Sequence, residues 1–128
     1  MYSAKIKKLK PSARQLLSII AKTDLVTNQM LLMKEFSPNG LDDFRDIMYS
    51  NILNIELTSK GYEITDSGEV RAQTQLDFLS LPEKRRNAVV KIISEHFMKE
   101  NRIGCVLELL NEAGDSKQFN KFILSETV

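Results

Sequence analysis

The chain of 128 residues has one cysteine, one histidine, five glycines and three prolines. A single cysteine excludes an internal disulfide and points to a cytoplasmic protein. No uninterrupted apolar run approaches the roughly 18 to 20 residues that cross a bilayer, so no membrane association is expected. The basic N-terminus lacks an apolar centre and a small-residue cleavage site, so no secretory signal is expected either. His96 and Cys105 are the sole imidazole and thiol. A zinc site usually takes about four ligands, so no metal is expected. The glycines form no phosphate loop, and no nucleophile elbow or paired-carboxylate motif occurs. His96 beside Phe97 reads as a boundary residue of an amphipathic helix, and Cys105 as a small core residue. Neither an enzyme nor a cofactor-dependent protein is expected.

What is present suits a globular domain: 42% hydrophobic and 27% charged residues, in a chain long enough for one real core. Net charge is only +1, but its distribution is uneven. Residues 1–23 carry six bases and no acid, and residues 24–70 carry three bases and nine acids. Residues 71–128 are nearly balanced, with nine bases and eight acids. Residues 1–10 therefore read as a basic arm, extended or an edge strand, bearing Lys5, Lys7, Lys8 and Lys10. Such arms enter the minor groove beside some helix-turn-helix domains. Lysines that merely keep a terminus solvated are at least as common.

Hydrophobic spacing predicts a helix over Ser12 to Thr23, with Pro11 in its first turn and Leu16, Leu17, Ile19, Ile20 and Ala21 inward. Asp24 or Thr27 is placed to cap a second helix carrying Met30, Leu31, Met33 and Phe36. Ser37-Pro38-Asn39-Gly40 has turn chemistry. A third helix follows from Leu41 to about Ile52, with Phe44, Ile47, Met48 and Ile52 inward. Asn54 to Gly68 then reads as a hairpin: Ile55 and Leu57 alternate with Glu56, and Tyr62 and Ile64 with Glu63. Thr65 or Asp66 is expected to cap a helix running to Leu79, with Val70, Ala72, Leu76 and Leu79 inward. Ser80-Leu81-Pro82-Glu83 has capping-box spacing before a helix that ends near Asn101 and buries Val89, Val90, Ile93 and Phe97. Gly104 is expected to break the chain. One short helix follows with Val106, Leu107, Leu109 and Leu110, and a last one carries Phe119, Phe122 and Ile123.

Helix, helix, turn, helix and hairpin, in that order, resemble the winged helix-turn-helix superfamily over Ser12 to about Ala72. Leu16-Leu17-x-Ile19-Ile20-Ala21 matches its first helix, and Leu25-Val26-Thr27-Asn28-Gln29-Met30 the apolar-Thr approach to its second. Tyr62-Glu63-Ile64-Thr65-Asp66-Ser67-Gly68 is similar to the Y-x-L-T-x-x-G ending of wing hairpins. Leu17 to Thr27, with Ser50-Asn51-Ile52, is also similar to the N-terminal domain of the T-even phage middle-promoter activator. That resemblance implies contact with the sigma subunit of RNA polymerase. It also implies a separate DNA-reading domain, for which no counterpart is expected in these residues.

The fold expected is mostly α with a small β-hairpin: a basic arm over 1–10, a winged helix-turn-helix over 11–80 and a helical extension over 81–128. The extension either completes the core or forms a homodimer interface, and the whole is expected to be one compact unit. The leading functional expectation is a small transcription regulator binding double-stranded DNA through Lys5, Lys7, Lys8 and Lys10, the third-helix residues Arg45 and Tyr49, and Ser59 and Lys60 at the wing tip. The alternative is a phage or mobile-element accessory factor. There Asp42, Asp43 and Asp46, all expected on the exposed face of the third helix, dock on a basic protein surface such as RNA polymerase. Those aspartates should repel phosphate, although acids in a first turn also favour the helix dipole. Lys84-Arg85-Arg86 is a second basic cluster, which the dipole of its own helix does not explain.

Overall fold

A computed structural model describes residues 2–114, the side chains of residues 2 and 3 excepted. The predicted helix around Phe119, Phe122 and Ile123 lies outside the described residues. The described chain is mostly helical, with one small antiparallel three-stranded sheet. It falls into two compact units, Met1–Leu81 and Pro82–Val128. Among the described residues no helix is long and apolar enough to cross a membrane.

The expected extended arm is instead helix α1, Tyr2–Lys8. Ala4 and the lysines are good helix formers, and Lys5, Lys7 and Lys8 all fall in the last turn, where they complement the negative end of the dipole. Ile6 is buried and gives the helix its anchor. Pro11 then forces the preceding Lys10 into an extended conformation, φ −63° and ψ 157°, which separates α1 from α2, Pro11–Ile20. Every residue from Leu16 to Thr23 is buried. The C-terminal half of α2 is therefore enclosed at the centre of its unit, and α2 packs on one side against α4, Gly40–Ser50, and on another against α6, Gln75–Leu79.

Thr27, rather than Asp24, caps the short helix α3, Asn28–Leu32, its hydroxyl accepting from the Met30 amide at 3.2 Å. Leu25–Val26, expected only as the approach to that helix, is a strand, β1. It pairs with β3, Gly61–Thr65, which also pairs with β2, Asn54–Thr58, so the sheet order is β1-β3-β2. Ile55 faces Ile64 across the ladder and Leu57 faces Tyr62, so the four share one face as the alternation within each strand implies, with Ile64 buried and Leu57 69% exposed. Two residues, Ser59 and Lys60, form the turn. Thr58 Oγ1 donates to the Gly61 carbonyl at 3.1 Å and accepts from the Lys60 amide at 3.2 Å, which closes it. Gly61 has φ 137°, and a Cβ there would lie 2.8 Å from the Val26 carbonyl oxygen, so only glycine fits.

The predicted helix from Asp66 to Leu79 is two helices, α5, Gly68–Gln73, and α6. Thr74 separates them; its hydroxyl turns back onto the Val70 carbonyl at 2.8 Å. The break shifts the inward phase, so Phe78 is buried while Leu76 is 81% exposed and Ala72 is exposed. Neither Thr65 nor Asp66 caps α5: Asp66 takes a positive φ of 55°, and Ser67 precedes the helix without a side-chain cap.

In the second unit, α7, Glu83–Lys99, starts after Pro82 without the expected Ser80 capping bond; Ser80 Oγ donates to the Asp77 carbonyl instead. Val89, Val90, Ile93 and Phe97 are buried as the spacing requires. The chain turns at Asn101, φ 57°, and not at Gly104, which lies in the first turn of α8, Ile103–Glu112. α7 and α8 pack on each other.

Candidate functional site

The exposed stripe of α4 is set by its inward one. Gly40, Asp43, Phe44 and Ile47 are buried, a spacing of three, one and three residues that lines one face of a helix. Asp42, Arg45, Asp46 and Tyr49 therefore share the opposite face and are exposed, Tyr49 at 78%. Gly40 lets the helix start where it does: a Cβ there would lie 1.8 Å from the Leu31 carbonyl oxygen. Asn51 in the left-handed conformation, φ 56°, ends the helix.

Asp43 departs from expectation. It is fully buried, so the expected exposed acidic trio loses its middle member. Ser37 Oγ donates a short hydrogen bond to one carboxylate oxygen. Ser12 Oγ donates to the other at 3.2 Å, and the Lys10 ammonium lies 3.2 Å from that same oxygen. One carboxylate thus joins the start of α2, the turn before α4 and α4 itself. Its lone pairs are taken by two hydroxyls and an ammonium, which is what makes burial of a charge tolerable. The sequence carried the signal in the 40, 43, 44, 47 spacing, since the phase that buries Phe44 and Ile47 also buries Asp43. Ser12 and Ser37 had no such signal.

Lys10 reaches Asp46 as well, at 3.7 Å. Hydrogen bonding to Asp43, then its charge, hold the Lys10 ammonium above the ordinary lysine range, with smaller additions from Asp46 and Asp42. A base assigned to DNA and two acids assigned to a protein partner are therefore one cluster. The remaining early bases also divide. Arg14 pairs with Asp77 at 3.8 Å. Lys22 is fully buried, donates to Gln75 and lies 4.9 Å over the Phe78 ring. Lys5, Lys7 and Lys8 remain exposed on α1, and Ser59 and Lys60 on the hairpin turn. In Lys84-Arg85-Arg86 only Lys84 is exposed, and burial pushes the Arg85 guanidinium below its ordinary value.

Beside the α4 stripe, a pocket of about 280 Å³ opens between α3 and α4. Leu31, Leu32, Pro38, Gly40 and Leu41 line it together with the polar Ser37, Asn39 and Asp42. Leu32 and Leu41, 68% and 49% exposed, give this pocket its apolar surface. His96 lies in α7, 3.5 Å from Glu100 one turn on, and Cys105 is half-buried in α8. Compared with known proteins, the chain matches no family model, no curated protein and no solved structure.

Proposed function

We propose that the first unit is a winged helix-turn-helix module that binds double-stranded DNA, presenting α4 to the groove and the β2–β3 turn to the backbone. The order α2, β1, α3, α4, β2, β3 with sheet order β1-β3-β2 supports the reading of the hairpin as a wing. One observation carries the functional part. Of the three aspartates that would repel phosphate, Asp43 is turned inside and Asp46 is paired with Lys10, while Arg45 and Tyr49 stand exposed on the same stripe. Arginine is the commonest side chain to read guanine edges, and Ser59 and Lys60 are of the types that hold phosphate. Such a protein acts by binding rather than by catalysis, as a small cytoplasmic transcription regulator.

The test is a fluorescence-anisotropy titration against a random-sequence duplex at about 50 and 200 mM salt. Four phosphate contacts would weaken binding about a hundredfold across that range, through counterion release. Absence of binding at the lower salt would end the DNA reading.

A second reading has its own support. Residues 1–81 hold ten bases and ten acids, a balance unusual for a nucleic-acid module. Leu32 and Leu41 offer apolar surface beside Asp42. An α4 face that docks on a basic protein surface, such as that of RNA polymerase, fits those features. The two readings separate on salt dependence, steep for the duplex and shallow for a contact centred on leucines. The homodimer expected of the helical extension is read by sedimentation velocity at micromolar concentration, where a clean monomer removes it.

A further inference from the structure

We propose that Lys10 is a masking residue: it neutralises Asp46 at the surface of α4, so that this helix approaches a polyanion that Lys10 itself does not touch. The inference rests on the DNA reading and adds a residue that acts through another. Three observations carry it. The Lys10 ammonium stands between Asp43, at 3.2 Å, and Asp46, at 3.7 Å. Asp43 is already satisfied on both oxygens by Ser37 and Ser12, so it keeps two partners when Lys10 is removed. Asp46 is half exposed and shares the stripe of Arg45 and Tyr49, so its charge faces whatever those two side chains meet.

The position of Lys10 is fixed by chain chemistry rather than by chance. It is the residue before Pro11 and is held extended at the N-cap of α2, and the adjoining Ser12 bonds the same carboxylate. An ammonium placed so is committed to the two carboxylates. Moving it to a phosphate would break both ion pairs at once and leave the half-exposed Asp46 uncovered beside the incoming phosphate. The sequence expectation for Lys10, a phosphate contact in an extended arm, gives the opposite prediction in one experiment.

The experiment compares Lys10→Met, Asp46→Asn and Lys10→Met/Asp46→Asn in duplex titrations at two salt concentrations. Masking predicts that Lys10→Met weakens binding by about three- to tenfold at low salt, because Asp46 is uncovered. It also predicts that adding Asp46→Asn restores wild-type affinity, and that the slope of log affinity on log salt is unchanged in the double variant. A Lys10 that held a phosphate would behave differently: Asp46→Asn would not rescue, and the slope would shrink by about 0.9. That result, or no effect of Lys10→Met, overturns the proposal. If the wild type binds no duplex, the DNA reading fails, and the masking is judged on the free protein from the titration of the Lys10 side-chain nitrogen by NMR. A Lys10 that titrates above ordinary lysines, and moves back toward them in Asp46→Asn, supports the masking. One that titrates with the exposed lysines overturns it.

Discussion

The ring of Tyr62 meets that of Phe44 edge-on, with 4.9 Å between centroids and 64° between planes. Phe44 is buried on the inward side of α4, and Tyr62 stands in β3 opposite both Leu57 and Val26. The contact fastens the hairpin to the helix, so turn and helix are held as one body by a pair whose two members come from different elements.

Tyr62→Ala should destabilise the protein by about 1–3 kcal/mol, since an edge-on pair adds about 0.5–1.5 kcal/mol to the area buried by a half-buried ring. Ile64→Ala, at a buried position two residues on, should cost about 2–4 kcal/mol. Lys60→Ala at the exposed turn should cost almost nothing. Urea melts of the three variants check the register. A slip by one residue would turn Glu63 inward and reverse the order of the effects.

Gly40→Ala should be among the most damaging single changes in the first unit. Its Cβ would meet a backbone carbonyl at 1.8 Å, and backbone cannot swing aside as a side-chain tip does. A loss of about 3 kcal/mol or more is expected, at the upper end of overpacking costs. Gly104→Ala, with open space around its Cβ in the first turn of α8, should be neutral or stabilise by up to about 1 kcal/mol. Thermal melts with equal effects from the two would contradict this.

The contrast between those glycines marks what is legible in the sequence. Periodicity places α2, α4, the hairpin and α7 because each has one strongly apolar face, which also fixes its phase. It misses β1 because two residues carry no period, and it joins α5 to α6 because neither glycine nor proline marks the break at Thr74. Gly104 reads as a breaker because glycine so often is one, whereas Asn101 takes the left-handed turn. At the candidate site the exposed residues Arg45, Tyr49, Ser59 and Lys60 follow from the helical and strand periods. The pairing of Lys10 with Asp43 and Asp46 does not, since it joins residues more than thirty positions apart through tertiary packing alone.

That pairing has a pH signature. The folded Lys10 ammonium is held above its ordinary value, chiefly by its hydrogen bond to Asp43. A raised pKa means that the contribution to stability is complete below the unfolded lysine value, about 10.4, and is lost as pH rises through the folded value. Wild type should therefore be more stable than Lys10→Met at pH 8, and the difference should shrink at strongly alkaline pH. Denaturant midpoints of both proteins across the alkaline range check it; a difference that stays constant would assign the effect to packing of the lysine stem.

The last prediction concerns the lysines of α1, for which two physical roles compete. Lys5, Lys7 and Lys8 are exposed and lie in the last turn, so their charges favour the helix dipole whether or not anything binds. If that is their whole role, replacing all three with glutamine should slightly lower the melting temperature and leave duplex affinity unchanged. If they also hold phosphates, affinity should fall by a similar factor for every duplex sequence. The slope of log affinity on log salt should then shrink by about 0.9 for each phosphate no longer neutralised. Glutamine keeps helix propensity close to that of lysine, so the helix itself should survive the change. Because Arg14, Lys22 and Lys10 are engaged within the fold, these three are the early bases left to contribute, and a slope change of more than about 2.7 would be beyond their reach. We expect the slope to fall by the equivalent of one to two phosphates: Ile6 points inward, so Lys5 and Lys8, three residues apart, share one side of the helix while Lys7 lies on the other.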